Sequence, residues 1–127
     1  VLLEHLLWVR CETAGQALQV TDVLLRDENL GMVLVDLRDC DGWALRRVSS
    51  ADWYRLQRLV GKSDMVLAII TPRSMVPSAQ IRVALTGSLS LGQSDRALGE
   101  IGQGLQCEVL RLRKQETGDF SQMIQAG

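Results

Sequence analysis

The sequence predicts an α/β fold, a mainly parallel sheet with helices on its faces and an antiparallel pair of strands at the C-terminal end. Three observations carry this expectation. Over residues 6–70, short apolar runs of strand length alternate with amphipathic helical stretches, the pattern of right-handed crossovers between parallel strands. Beyond residue 80 the period changes to two, which marks strands with one wetted face. The 127 residues, 46% hydrophobic and 23% charged, suit a single globular domain spanning residues 1–127, with enough chain for a real core.

The elements follow in order. Leu6-Leu7-Trp8-Val9-Arg10 is short, apolar and followed by polar residues, as a buried strand of a parallel sheet would be. Over residues 13–27 the apolar positions Ala14, Ala17, Leu18, Leu24 and Leu25 fall at helical steps; Thr13 is the expected N-cap, and Asn29 and Gly31 bracket the end. Met32-Val33-Leu34-Val35-Asp36-Leu37 is a nearly unbroken apolar run that carries a carboxylate near its end, which predicts a strand buried on both faces. Residues 38–42 read as a turn. Ser49 or Ser50 then caps a second helix running to about Val60, with Trp53, Leu56, Leu59 and Val60 on one face, Arg55, Arg58 and Lys62 on the other, and Gly61 as its stop. A third apolar run, residues 65–70, is ended by Thr71-Pro72, because proline has no N–H to give to a ladder.

In the last third, residues 80–91 place Ile81, Val83 and Leu85 opposite Arg82, Ala84 and Thr86, and residues 105–114 alternate around Val109. The Gly-, Ser- and charge-rich stretch 92–104 between them suits a hairpin loop, and the tail after Glu116 is expected to be ragged.

Composition excludes several functions. With 14 Lys plus Arg against 15 Asp plus Glu the net charge is −1, so no global field draws in nucleic acid or an acidic membrane. Cys11, Cys40 and Cys107 are widely spaced and odd in number, which argues against a disulfide framework or a zinc site and for a reducing cytoplasm. The apolar start is broken by Glu4 and His5, too short to span a bilayer and without the basic beginning of a secretion signal. The absence of an initiating Met leads us to expect a piece of something longer.

Candidate sites are few. Gly61-Lys62-Ser63 imitates the end of a phosphate loop, but such a loop follows a strand and opens a helix, whereas these residues close a helix and lead into a strand. The likeness is read as accidental. Asp36 stands at the carboxyl end of its strand, where open α/β sheets place ligand groups; its ordinary reading is a turn-starter together with Asp39. His5, the only histidine, has no nucleophile motif around it and reads as a surface residue. Arg46, Arg47, Arg55 and Arg58 form either a basic patch or a solvated face, and Trp43, placed in a loop, is the tryptophan available to a partner.

With the strands placed, "LLWVRCETAGQALQVTDVLLRDENLGMVLVDLRD" resembles the middle of the RecA-type recombinase core, through Thr13, Gln16, Ala17, Leu18, Asp22, Leu24 and Asp36. "MVLAIITPRS" resembles the next strand of that family, and "SAQIRVALTGSL" with "GLQCEVLRLRKQ" the paired strands after it. The nearest likeness is to RecA-like accessory proteins of the ImuA and SulA kind. The resemblance implies a three-layer core of the P-loop NTPase type in which Asp36 takes the Walker B position. It also implies that Walker A and the catalytic Glu would lie before Val1, and it sets Thr71-Pro72 where the family has a nucleotide-sensing Asn-Gln.

The implied function is a non-catalytic interaction module without a cofactor, which contacts a protein of DNA repair, SOS damage tolerance, translesion synthesis or cell-division control. The alternative is the rear half of a DNA-dependent ATPase that uses ATP and magnesium with a phosphate loop outside this chain. A third reading is weak DNA contact through residues 42–47 and 72–78, with Arg46, Arg47 and Arg73 on phosphates. Without the front half of the core, the first strand would have an uncovered edge, so a homodimer is expected.

Overall fold

The computed structural model describes residues 2–87 and 104–113. The protein is a mixed α/β chain with a small parallel sheet and an antiparallel pair of strands. It divides into two compact units, Val1–Ser78 and Ala79–Gly127.

The first unit is built from helix α1 (Ala14–Leu25), strand β1 (Met32–Asp36), the short helix α2 (Gly42–Arg46), helix α3 (Ser50–Val60) and strand β2 (Val66–Ile70). Helix α1 begins where the Thr13 hydroxyl accepts the Gln16 N–H at 3.2 Å, satisfying one of the orphan donors of the first turn. Its buried stripe is Ala14, Leu18, Thr21 and Leu25, three- and four-residue steps along one face. The Thr21 hydroxyl donates to the Ala17 carbonyl at 2.7 Å, so it enters the core with its hydrogen bond made.

Helix α3 starts with a full capping box. Ser49 Oγ accepts the Asp52 N–H at 3.2 Å, and Asp52 Oδ2 accepts the Ser49 N–H at 3.3 Å and its hydroxyl at 2.7 Å. Trp53 and Leu56 are its buried residues. The helix ends at Gly61, whose φ of −63° is right-handed, so it stops the helix without the left-handed conformation common at glycine caps. The Ser63 hydroxyl then donates to the Val60 carbonyl and accepts the Met65 N–H, turning the chain into β2.

Strands β1 and β2 pair in parallel, from Met32 opposite Val66 to Asp36 opposite Ile70. One step further, the Leu37 N–H donates to the Ile70 carbonyl at 2.9 Å and the Leu37 side chain is fully buried. Val33, Val35, Leu37, Leu45, Trp53, Leu56 and Met65 join the α1 stripe in one core.

Three expectations are corrected here. Residues 6–10 form no strand: Leu6 has extended backbone, φ −103° and ψ 114°, but the segment joins no ladder and Trp8 is 82% exposed. An apolar run specifies that it wants cover, not which partner supplies it. Strand β1 is buried on one face only, because Val33 and Val35 join the core with the α1 stripe while Met32 and Leu34 stay exposed. Finally, Trp43 and Arg46 sit on α2 and not in a loop: the Asp41 carboxylate accepts the Trp43 N–H at 3.2 Å and starts a single helical turn that buries Leu45.

The second unit pairs β3 (Ile81–Thr86) and β4 (Gln106–Leu112) antiparallel, with a register irregularity between Arg82 and Val83. Gly87 follows β3 at φ +147°, and a Cβ there would come within 2.6 Å of the Gly104 carbonyl, so only glycine fits. Ile81, Val83 and Leu85, the apolar side expected to be covered, are the more exposed row of β3. Residues 92–103 of the expected hairpin loop, and the tail after Glu116, lie outside the described residues. Among the described residues no helix is long and apolar enough to cross a membrane.

Two substitutions test this frame. Ser49→Ala should cost about 1 kcal/mol through loss of the cap, and Leu37→Ala, at a fully buried site, about 2–5 kcal/mol. Urea unfolding should rank them in that order, and equal costs would contradict the placement of the core.

Candidate functional site

Two places in the first unit gather chemistry. The first is the carboxyl end of the parallel strands. Asp36 ends β1 level with Ile70, and its carboxylate is closed by a residue two positions on. Asp36 Oδ1 accepts the Arg38 backbone N–H at 3.1 Å and Nε at 2.9 Å, while Oδ2 accepts Nη2 at 2.6 Å. This is a forked guanidinium–carboxylate pair built on an Asx turn. The Arg38 side-chain bond first, and its backbone bond next, hold the Asp36 carboxyl below its usual range against a small opposing effect of burial. The same bond holds the Arg38 guanidinium above its usual range.

Beside this pair lies Cys40. Burial first, then the negative charges of Asp36 and Asp39 and the Cys11 thiol, push its thiol above the ordinary value, which keeps it protonated and weakly nucleophilic. Among the described residues no group of three His, Cys, Asp or Glu is placed to hold a metal ion. His5 lies on the surface, 3.8 Å from Glu4.

The second place is a groove of about 380 Å³ where α1 meets α2 and the start of α3. Leu18, Ala44 and Val48 supply its apolar lining, and Arg47, Asp52 and Arg55 its charges. These charges are not equivalent. Arg55 Nε lies 3.2 Å from Asp22 Oδ1 and its Nη2 3.8 Å from Asp52 Oδ1, while Asp22 Oδ2 accepts Arg26 Nε at 2.9 Å. The contact of Arg55 with Asp22 is an ion pair without hydrogen-bond geometry, since Asp22 Oδ1 is buried and accepts no hydrogen bond. The Arg26 bond is the main reason the Asp22 carboxyl is held below its usual range. Arg55 is therefore a clasp between α1 and α3.

Arg47 is held differently. Its guanidinium lies 4.6 Å from the centroid of the Trp43 ring, a cation–π contact on a tryptophan that is 60% exposed. Among the described residues neither Arg46 nor Arg47 has a carboxylate within salt-bridge distance.

Of the residues singled out from the sequence, the structure gathers Trp43, Arg46 and Arg47 at α2. It leaves Asp36 at the strand end and Arg73 in the turn after β2, where the Arg73 carbonyl accepts the Thr71 hydroxyl at 2.7 Å. Sequence reasoning missed Arg38 and Asp52. The Asp-x-Arg spacing was the available signal for the first, and the Ser-x-x-Asp capping box for the second.

No family model, curated protein or solved structure matches this chain.

A carboxyl whose folded pKa is depressed gives stability that is present above the unfolded pKa, about 3.9, and lost as pH falls through the folded value. For Asp36 and Arg38, both well exposed, that contribution is small, so the titration itself is the better readout. Side-chain carboxyl NMR should place the Asp36 midpoint below about 3.9, and Arg38→Ala should bring it back up; a midpoint unmoved by that change would show that the fork does not form in solution.

Proposed function

We propose that this chain is a non-catalytic, RecA-like interaction module of the cytoplasm, a three-layer core of the P-loop NTPase type without its phosphate loop. Its partner is a protein of DNA repair, SOS damage tolerance or cell-division control. The observation that carries the reading is the α2 patch: an exposed Trp43 under Arg47, with Arg46 beside it. Tryptophan and arginine are the residues most enriched at the energetic centres of protein contacts. A half-exposed aromatic already ordered by a cation loses little entropy when a partner covers it.

The closure of Asp36 by Arg38 supports the catalytically silent part of the reading, because both carboxylate oxygens are engaged inside the chain. Gly61, Lys62 and Ser63 support it too, as a helix stop followed by a turn held by the Ser63 hydroxyl.

One observation favours the second reading, the rear half of a DNA-dependent ATPase. Asp36 sits at the carboxyl end of β1, the side of an open α/β sheet where ligands bind. A Gly-x-x-x-x-Gly-Lys-Thr after a strand in the reading frame upstream of Val1 would favour it.

Calorimetry tests the silent reading. The module should give no binding heat with ATP and magnesium. Micromolar affinity that disappears in Asp36→Ala would overturn the silent reading. Retention of single-stranded DNA that falls steeply with salt and weakens in Arg47→Ala would instead make Arg46, Arg47 and Arg73 phosphate contacts.

A further inference from the structure

The groove where α1 meets α2 and the start of α3 has charges that cancel except at one place. Arg55 is answered by Asp22 and Asp52, and the Asp52 carboxylate is also held by Ser49 in the capping box. Arg47 lines the same groove, and among the described residues no carboxylate lies within salt-bridge distance of it. The Trp43 ring answers the cation with its face. A ring face cannot accept the forked pair of N–H bonds that a carboxylate accepts, so the Arg47 guanidinium keeps donors for one.

Gly15 is the second observation. It stands in the first turn of α1 and lines the groove, although glycine is the poorest helix former after proline. Packing does not demand it, since a Cβ there would meet only the Thr13 hydroxyl oxygen at 3.9 Å, an ordinary contact. Its lack of a side chain keeps the α1 wall of the groove clear. Leu18, Ala44 and Val48 supply the apolar lining, and the volume of about 380 Å³ lies at the small end of the range for ligand cavities, roughly 300–1,000 Å³.

We propose that this groove takes a short acidic segment of a partner protein, with an apolar side chain seated against Leu18, Ala44 and Val48 and a neighbouring Asp or Glu paired with Arg47. The inference rests on the reading of the α2 patch as a protein contact and names the chemistry that the contact recognises. Charge complementarity selects the occupant: the unanswered group on the lining is a guanidinium, whose planar fork fits a carboxylate. Nucleic acid fits less well, because phosphate binding draws its strength from many cations at once. The formal net charge of −1 adds no wider pull on an acidic segment, so recognition is local to the groove.

Selection of short random peptides, displayed on phage, against the 127-residue chain tests this. The enriched peptides should share an apolar residue within a few positions of Asp or Glu. Fluorescence anisotropy with the tightest of them should show binding weakened by about tenfold or more in Gly15→Leu and in Arg47→Gln, the size of loss seen at central contact residues. Leucine is the better helix former and its Cβ has room, so circular dichroism should show Gly15→Leu folded. Arg58→Gln removes the same charge from an exposed position on α3 outside the groove lining and should leave binding as it is. Enriched peptides without acidic residues would overturn the proposal, and so would equal losses in Arg47→Gln and Arg58→Gln. Trp43→Ala separates the groove from the reading beneath it. Binding lost in Trp43→Ala but kept in Gly15→Leu would leave the α2 patch as a contact and remove the groove; the opposite pattern would keep the groove and remove Trp43 from the contact. Absence of any enriched peptide would remove both. Displacement of the peptide by single-stranded DNA, with DNA binding likewise weakened in Gly15→Leu, would overturn the proposal by making the occupant a phosphate chain.

Discussion

The first unit depends on one core made from one side: Val33 and Val35 of β1 join the stripe of α1, which packs in turn on α3 with its Trp53 and Leu56. The two strands cannot hold themselves together, since a pair of strands in water is marginal without something packed on it. The helices supply that, and the capping box at Ser49 and the hydroxyl of Thr13 fix where each helix begins. Asp22 then ties Arg55 of α3 to α1 across a partly buried ion pair, so the two helices are joined by charge as well as by apolar packing. Cut the contact at Val33 and Val35, and the sheet has no floor.

Much of this was legible in the residues. Apolar spacing gave α1 and α3 to within a residue or two of their ends, because Thr13 and Ser49 are side chains whose capping chemistry is local. The cores of β1 and β2 were legible for a similar reason, a short apolar run bounded by turn residues. What failed was a matter of cover: which apolar run pairs, and which face of a strand is packed. The run at Leu6 looked like the runs at Val33 and Leu67, and hydrophobicity alone does not say which of three similar segments finds a ladder. The same limit explains why β1 read as covered twice. Met32 and Leu34 have the composition of a buried face, but burial is a property of what lies opposite.

The candidate site was legible in its members and not in its arrangement. Trp43, Arg46 and Arg47 stand out as residue types, yet nothing in their spacing marks α2, because its cause is one carboxylate, Asp41, capping one turn. Asp36 shows the converse. Its position at a strand end and its ordinary reading as a turn-starter both hold, and what the residues alone do not show is that the Arg38 guanidinium two positions on fills both oxygens. A motif residue is defined as much by what its neighbours leave free as by where it stands.

The Ser78 hydroxyl donates to the Trp53 carbonyl at 3.0 Å in a buried position, at the last residue of the first unit. Met75 and Val76 just before it pack against the same core. This joins the exit of the chain to the middle of α3 and not merely to the strand it has just left. The end of the first unit is thus anchored on the same helix that supplies Trp53 to the core.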